Sequence, residues 1–395
     1  MDKYVEKLKK LEKYVIIFSL FVYLEPQIFK EDASGLTKVD YVYKLIKIIC
    51  TVAVFLYYIS EVKKTNFMLL VTSLQLIGLV STIINKGAIF RYVGPSLTIL
   101  TMVMIVELLL ENKQLIETLK VINWYFLTVY IINVVSVILI DFIDNSAFGG
   151  VYFLGIDNRF IFTFLPWVVS EGIVALYYGN KLSKRWIIIV CLCEGILLYK
   201  FSVAAMFAFM LFIAFYLFRK YITSDISIWM LFGYLLLNIF VVIIRVQNIF
   251  APLLQKLGKD ITFAGRTYFW DAILRDWKHF FIIGGGMQSV QADKMYFYNS
   301  TAPFYLPFCK VMHAHNYLMT LFYRGGIISI TIFIIILYLA MKKLKENSGC
   351  LYSGLLLSAM IVFFVTAIFD TTDFALLYFI IALSYYVSKI EIKKE

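Results

Sequence analysis

Residues 121–140 read VINWYFLTVYIINVVSVILI, a run of twenty positions without one charged side chain. A helix needs about 20 mostly apolar residues to cross about 30 Å of hydrocarbon, and this run meets that need. Working outward, comparable blocks lie at about 14–30, 41–60, 67–85, 94–111, 161–178, 186–199, 202–218, 228–246, 317–341, 351–369 and 373–389. With the first, extended to 142, they make about twelve spans. The seventh and eighth are short and separated only by Lys200, Phe201 and Ser202. The first is not a cleaved signal peptide, because it lacks a small-residue cleavage site and runs into Glu25-Pro26.

Composition points the same way. Apolar residues make up 62% of the chain and charged ones 16%, against about 45–50% and about 25% in soluble domains. A soluble chain of this length would divide into two or three domains, yet no Gly/Ser/Pro-rich linker interrupts it. The expectation is an all-α polytopic membrane protein, residues 1–395 forming a single membrane domain.

Cytoplasmic loops hold the excess of Lys and Arg. With Lys3, Lys7, Lys9, Lys10 and Lys13 inside, later inside connections carry Lys63-Lys64, Lys113 and Lys120, Lys181 with Lys184-Arg185, Arg219-Lys220, and Lys342-Lys343 with Lys345. The chain ends Lys393-Lys394, also inside, while loops 143–160 and 370–373 are nearly free of both residue types. Both termini are therefore expected in the cytoplasm. The net charge of +11 reflects this topology; no basic–aromatic strip or nucleic-acid module accompanies it, so no nucleic-acid partner is expected.

One connection is long. Residues about 247–316 fall outside, between the ninth and tenth spans, and hold all three histidines, His279, His313 and His315. A loop of this length is functional or a folded subdomain. Of the five cysteines only Cys309 lies in it, so no internal disulfide braces it. Cys191 and Cys193, two apart within a span, point to different faces and read as packing rather than a metal pair.

Within the loop, Arg266 to Phe281 reads as one amphipathic helix. Phe269, Trp270, Ile273, Leu274, Trp277, Phe280 and Phe281 share a face, opposite Asp271, Arg275, Lys278 and His279. Such a helix lies on the membrane surface with its aromatics in the interface. Arg266 projects with the apolar face. Either it precedes the helix proper and snorkels to lipid phosphate, or it points into a cavity to hold an anion, a task its planar fork suits. Gly284-Gly285-Gly286 follows and reads as a flexible turn, since it lacks the strand–loop–helix setting of a phosphate loop.

The most specific stretch is Met312-His313-Ala314-His315-Asn316-Tyr317-Leu318, then Tyr323-Arg324-Gly325-Gly326. His313 and His315, two apart, cannot share a helix face. Asn316 can cap the span that follows. A histidine at a membrane interface is poised to exchange a proton near neutral pH. A His-x-His zinc pair would need further ligands, and Asp293, Asp370 and Asp373 show no ligand spacing, so no metal and no other cofactor is expected.

These residues resemble the O-antigen ligase and polymerase superfamily. The resemblance rests on His-x-His-Asn-x-Leu at 313–318 with glycine following, on Gly265-Arg266-Thr267-Tyr268-Phe269-Trp270, and on Leu154-Gly155-Ile156-Asp157-Asn158-Arg159. It rests also on about twelve spans with one large late external loop. Two positions depart from the pattern. Lys200-Phe201-Ser202-Val203 stands where the family has Thr-x-Ser-Arg, and Ser329 ends the ligase branch's glycine element, both favouring a divergent polymerase.

The resemblance implies a GT-C-like membrane glycosyltransferase in the bacterial cytoplasmic membrane. A Wzy-type polymerase would join oligosaccharide repeat units carried on undecaprenyl diphosphate into capsular polysaccharide or O-antigen at the outer face, inverting the anomeric centre without metal. Arg266, Arg159 and Lys200, with Arg324 and Arg245, would bind the diphosphate. His315 would act as general base or acceptor-positioning group, supported by His313 and Asn316. Tyr268, Tyr296, Tyr298 and Tyr305 could stack on sugars or anchor the interface. Partners implied are the lipid-linked donor and acceptor, membrane lipid and a chain-length regulator protein. An O-antigen ligase-type transferase is the alternative. A lipid-linked oligosaccharide flippase is the second, though two similar halves and broken midplane helices are not evident.

Overall fold

A backbone in hydrocarbon must satisfy its own polar groups, and a helix does so within one segment. The computed structural model describes residues 2–30, 37–62, 65–143, 151–179, 181–219, 226–252, 265–301, 313–369 and 374–392. Among these residues the chain is helical, apart from turns and one isolated bridge between Tyr152 and Gly155. Lys63, Lys64, Lys220, Cys309, Met312, Tyr305, Asp370, Asp373, Lys393 and Lys394 lie outside the described residues, as does the side chain of Tyr298.

The apolar blocks coincide with α1 (Asp2–Tyr23), α2 (Thr37–Glu61), α3 (Asn66–Ile84), α4 (Ile89–Glu111), α5 (Leu115–Ile143), α6 (Phe160–Gly179), α7 (Lys184–Tyr199), α8 (Val203–Leu217) and α9 (Ile226–Asn238). The later blocks are α13 (Tyr317–Glu346), α14 (Ser353–Phe369) and α15 (Phe374–Tyr385). Among the described residues, seven helical stretches are long and apolar enough to cross a membrane: α2 to α6, α9 with its continuation to Ile244, and α13. Shorter apolar helices occur in α8, α14 and α15. The chain is thus a polytopic membrane protein. α1 stops at Tyr23, short of the expected residue 30, where buried Glu25 takes an ion pair from Lys47 of α2 at 2.5 Å.

Helix starts follow local chemistry. The Thr65 hydroxyl accepts from the Met68 amide at 3.1 Å, and Ser183 does the same for Trp186 at 3.1 Å. α13 packs against α3, α9, α14 and α15, and α4 against α2, α3 and α15. The outer face of α2 bares Tyr41, Leu45, Ile48, Val52 and Leu56, apolar surface suited to lipid rather than water. Cys191 is exposed and Cys193 buried, on different faces as their spacing requires.

The segment between α9 and α13 departs from its sequence reading. Arg266 to Phe281 is not one helix: α10 (Arg266–Arg275) ends at Asp276, and a single turn, α11 (Trp277–Phe280), follows. Asp276 receives Arg275 at 3.3 Å and the Tyr296 hydroxyl at 3.0 Å, contacts that hold it at φ −95°, ψ 19° and turn the chain. Nor does the aromatic face lie on the membrane. Phe269, Trp270, Ile273 and Phe280 pack with Phe297 of α12 (Val290–Thr301), Met319 and Tyr323 in a protein core of their own. Only Trp277 and Phe281 of that face remain largely exposed.

Gly284-Gly285-Gly286 is not a flexible turn either. The Gly285 amide donates to the Tyr323 carbonyl at 2.7 Å, the Gly286 amide to Arg324 at 3.1 Å, and the Ile327 amide to Phe281 at 2.8 Å. The segment lies along α13 where that helix breaks at Gly326 (φ +66°). A Cβ at Gly326 would sit 2.2 Å from the Ile282 carbonyl, and one at Gly286 (φ +67°) 2.5 Å from Thr82 of α3. Glycine is required at both positions by conformation and by space. The loop therefore supplies partners for a broken helix, one of the few ways irregular backbone is tolerated at a membrane.

Candidate active site

The starts of α6, α10 and α13 come close to one another, and each brings one candidate side chain. Arg159 ends a 3-10 turn, Asp157–Arg159, immediately before α6. Arg266 is the first residue of α10, preceded by buried Gly265 in the left-handed conformation. His315 precedes Asn316, the N-cap of α13. A helix N-terminus carries a partial positive charge and unsatisfied N–H groups, so helix starts gathered in this way favour an anion.

Each start is held from below. Asn133 of α5 accepts from the Leu154 amide at 2.9 Å and Ser136 from Phe153 at 3.0 Å, so buried polar groups of a span fix the turn before Arg159. Ser202, in the break between α7 and α8, donates to Asn158 at 2.8 Å, and the Lys200 ammonium lies 4.7 Å from the Tyr152 ring centre. The Lys200–Ser202 break and the Gly155–Arg159 turn are thus one unit, although about 40 residues separate them in sequence. The fully buried Trp270 donates through Nε1 to the Ala314 carbonyl at 2.7 Å. Spaced i, i+4 on α10, Trp270 grips the His-x-His turn while Arg266 charges it.

His315 is the centre of this arrangement. Its φ of 48° is rare for a residue with a Cβ, and such conformations cost about 1–3 kcal/mol and cluster at functional sites. Its ring stacks 6.0 Å from Phe269 and lies 4.3 Å from that of His313. Burial first, then the charges of Arg266 and Arg159, hold its imidazole down to about 3, well below the usual value of about 6.5. His315 is therefore neutral at neutral pH, and the two arginines are near enough to act on it.

Asn316 does what its position allows. It is fully buried, its Oδ1 accepts from Met319 N at 2.9 Å, and its Nδ2 donates to Asn238 of α9 at 2.8 Å and to the Ile368 carbonyl at 3.1 Å. It is a cap and a rivet between three helices.

The other two arginines lie elsewhere. Arg245, left-handed at φ 61° after a π-helical turn (Ile239–Ile244), bonds Asp271 and donates to the Thr267 carbonyl at 3.1 Å. Its guanidinium lies 5.1 Å from the Trp270 ring centre. Arg324 lines a small crevice of about 70 Å³ with Tyr92, Tyr317 and Thr320, within electrostatic reach of Asp293 and Arg91. Sequence reasoning weighed Asp293 only as a metal ligand and set it aside; it is buried, pairs with Arg91 of α4 at 2.5 Å and accepts from Tyr323 at 3.0 Å, and no spacing in the sequence signals that pairing. Among the described residues no three His, Cys, Asp or Glu side chains converge as metal ligands.

Residues 186–334 match the family model described as O-antigen ligase. The matched stretch contains Lys200, Arg245, Arg266, His313, His315, Asn316 and Arg324, and stops short of Arg159. It bears out the resemblance to the O-antigen ligase and polymerase superfamily read from the motifs. No curated protein and no solved structure matches the chain.

Proposed function

We propose, with the O-antigen ligase match of residues 186–334 as the premise, that this chain is a Wzy-type polysaccharide polymerase. It would be anchored by about twelve spans in the bacterial cytoplasmic membrane, with both termini inside. The observation that carries the reading is the meeting of Arg159, Arg266 and His315 at three helix starts. Two fixed cations beside a neutral imidazole suit transfer from a diphosphate-linked donor. An acceptor hydroxyl attacks the anomeric carbon, and the bond to the lipid diphosphate breaks on the opposite side with inversion. The electron pair leaves on the diphosphate, where Arg266 and Arg159 offset the growing charge; Lys200 lies on the same wall. The hydroxyl proton passes to His315.

The depressed basicity of His315 fits this order of events. Without donor, burial and, after it, two nearby cations disfavour protonation. A bound diphosphate would offset the cations, so the imidazole would become a stronger base when its partner for reaction is in place. A ligase-type transferase to a different acceptor is the second reading, favoured by the description of the matched family; it shares the donor half of the reaction.

Purified protein given lipid-linked repeat units should make long chains, and should do so in EDTA because guanidinium groups carry the charge. Single units left unconverted would sink the polymerase reading, and loss in EDTA with rescue by a divalent ion would sink the metal-free mechanism. Reporter fusions at Lys184, Arg219 and Lys345 should read cytoplasmic and those within 285–300 external. A cytoplasmic result for 285–300 would remove the mechanism, since the donor is presented outside.

A further inference from the structure

Across one aromatic layer from His315, the same loop frames a second concavity that the mechanism does not use. It is a cleft of about 790 Å³ between the α10–α11 corner, the start of α12 and the outer end of α3. That volume lies within the range of about 300–1,000 Å³ common for ligand sites. The rings of Tyr296, Phe297, Phe269 and His315 follow one another at 5.2, 5.6 and 6.0 Å, and of these only Tyr296 lines the cleft, so a row of rings runs from the cleft to His315.

The cleft is built rather than incidental. Its Tyr296 ring stacks on Tyr323 at 5.4 Å, and its hydroxyl bridges the Ala272 carbonyl and the Asp276 carboxylate, both at 3.0 Å. Arg91 donates to the Gln288 carbonyl at 2.6 Å while pairing with buried Asp293, which ties this wall to α4. Two amides face the space with their nitrogens already engaged. Asn85 Nδ2 donates to the Ser81 and Gly284 carbonyls at 2.8 and 3.1 Å, and Gln288 Nε2 to Gly285 at 2.5 Å. Their side-chain oxygens are thereby left as oriented acceptors. On the rim Trp277 is 44% exposed, with Lys278 beside it.

An exposed indole, two fixed amide acceptors and a basic rim match one chemical class. Sugar rings present C–H faces to an aromatic plane and hydroxyls to amide oxygens, and acidic substituents would meet Lys278. We infer that this cleft is a glycan subsite, holding saccharide of the acceptor or growing chain several sugars away from the bond being formed. The inference rests on the polymerase reading for which glycan arrives there, but not on the roles of Arg266 or His315.

The test uses the full chain in nanodiscs and a lipid-free oligosaccharide cut from the polymer of the same cells. Wild type should bind it, and Trp277→Ala and Gln288→Ala should each weaken binding about tenfold, about 1.4 kcal/mol. The same variants should still join two lipid-linked units while giving shorter polymer. Unchanged affinity in both variants would overturn the subsite, as would a Trp277→Ala defect confined to membrane insertion, which marks an interface anchor. Binding lost in the variants while wild type makes no polymer would keep the subsite and discard the polymerase reading. Polymer made without any oligosaccharide binding would do the reverse.

Discussion

Arg266 begins α10 and Arg245 binds the same helix through Thr267 and Asp271, yet the fold gives the two arginines different employment. Arg245 is matched to Asp271 and a carbonyl and lies over the Trp270 ring, so its charge is spent on holding α10. Burial keeps His315 unprotonated, and the charge of Arg266 adds to that effect. Arg91 repeats the first pattern with Asp293, and Arg159 repeats the second. A guanidinium bonded to a carboxylate helps hold the fold together, whereas two guanidiniums near a neutral imidazole form the site proposed for an anion.

The comparison breaks first at His315. His315→Ala removes no span and little core volume, so the protein should insert normally. Its cells should accumulate single repeat units, with transfer down by about 10²–10⁴-fold, the usual worth of a general acid–base; His313→Ala should be milder. Normal polymer length from His315→Ala would end the assignment.

Next in size is Arg266. Arg266→Ala should lower transfer by about 10²–10³-fold, and Arg266→Lys should not restore it, because a point charge lacks the two-pronged fork. Arg275, exposed at the far end of α10 and paired with Asp276, should tolerate Ala within about twofold. Equal losses at 266 and 275, at normal protein levels, would mean that the anion site has been misplaced.

The smallest effect sharpens the comparison most. In NMR titration of the ligand-free protein, His315 should stay neutral down to about pH 3, and inorganic diphosphate should move its midpoint upward. The sign follows from linkage: the folded state binds this proton less readily than the unfolded chain, so stability falls as pH drops below about 6.5. A ligand-free midpoint near 6.5 would show that Arg159 and Arg266 do not act on the ring.

Much of the membrane part was legible, because a helix in lipid is written locally. The block at 94–111 became α4, and the three-residue gap at 200–202 became a helix break with Phe201 at φ 50°. The cap at Asn316 was legible for the same reason, though its bonds to Asn238 and Ile368 were not. The segment between α9 and α13 misled wherever the deciding partner was distant. Asp276 ends α10 because Tyr296 reaches it from α12, a contact no helical periodicity contains. The glycine run looked loose because Thr82 and the Arg324–Gly325 backbone, which leave no room for side chains at Gly286 and Gly284, are about 200 and 40 positions away. Arg159 and His315 were singled out by motif, but their meeting is a property of how three helices start.

The crossing of Gly284–Gly286 over the break in α13 also sets an order of assembly. Residues 281–286 are synthesised before 323–327, so the glycine run exists before its hydrogen-bond partners do. Until α13 inserts, the Gly285 and Gly286 amides have no carbonyl of Tyr323 or Arg324 to meet, and the anion site lacks His315. The crossing over the break thus forms only once α13 is in place, and a chain that stopped before Gly326 would lack it together with the carbonyls that hold the glycine run.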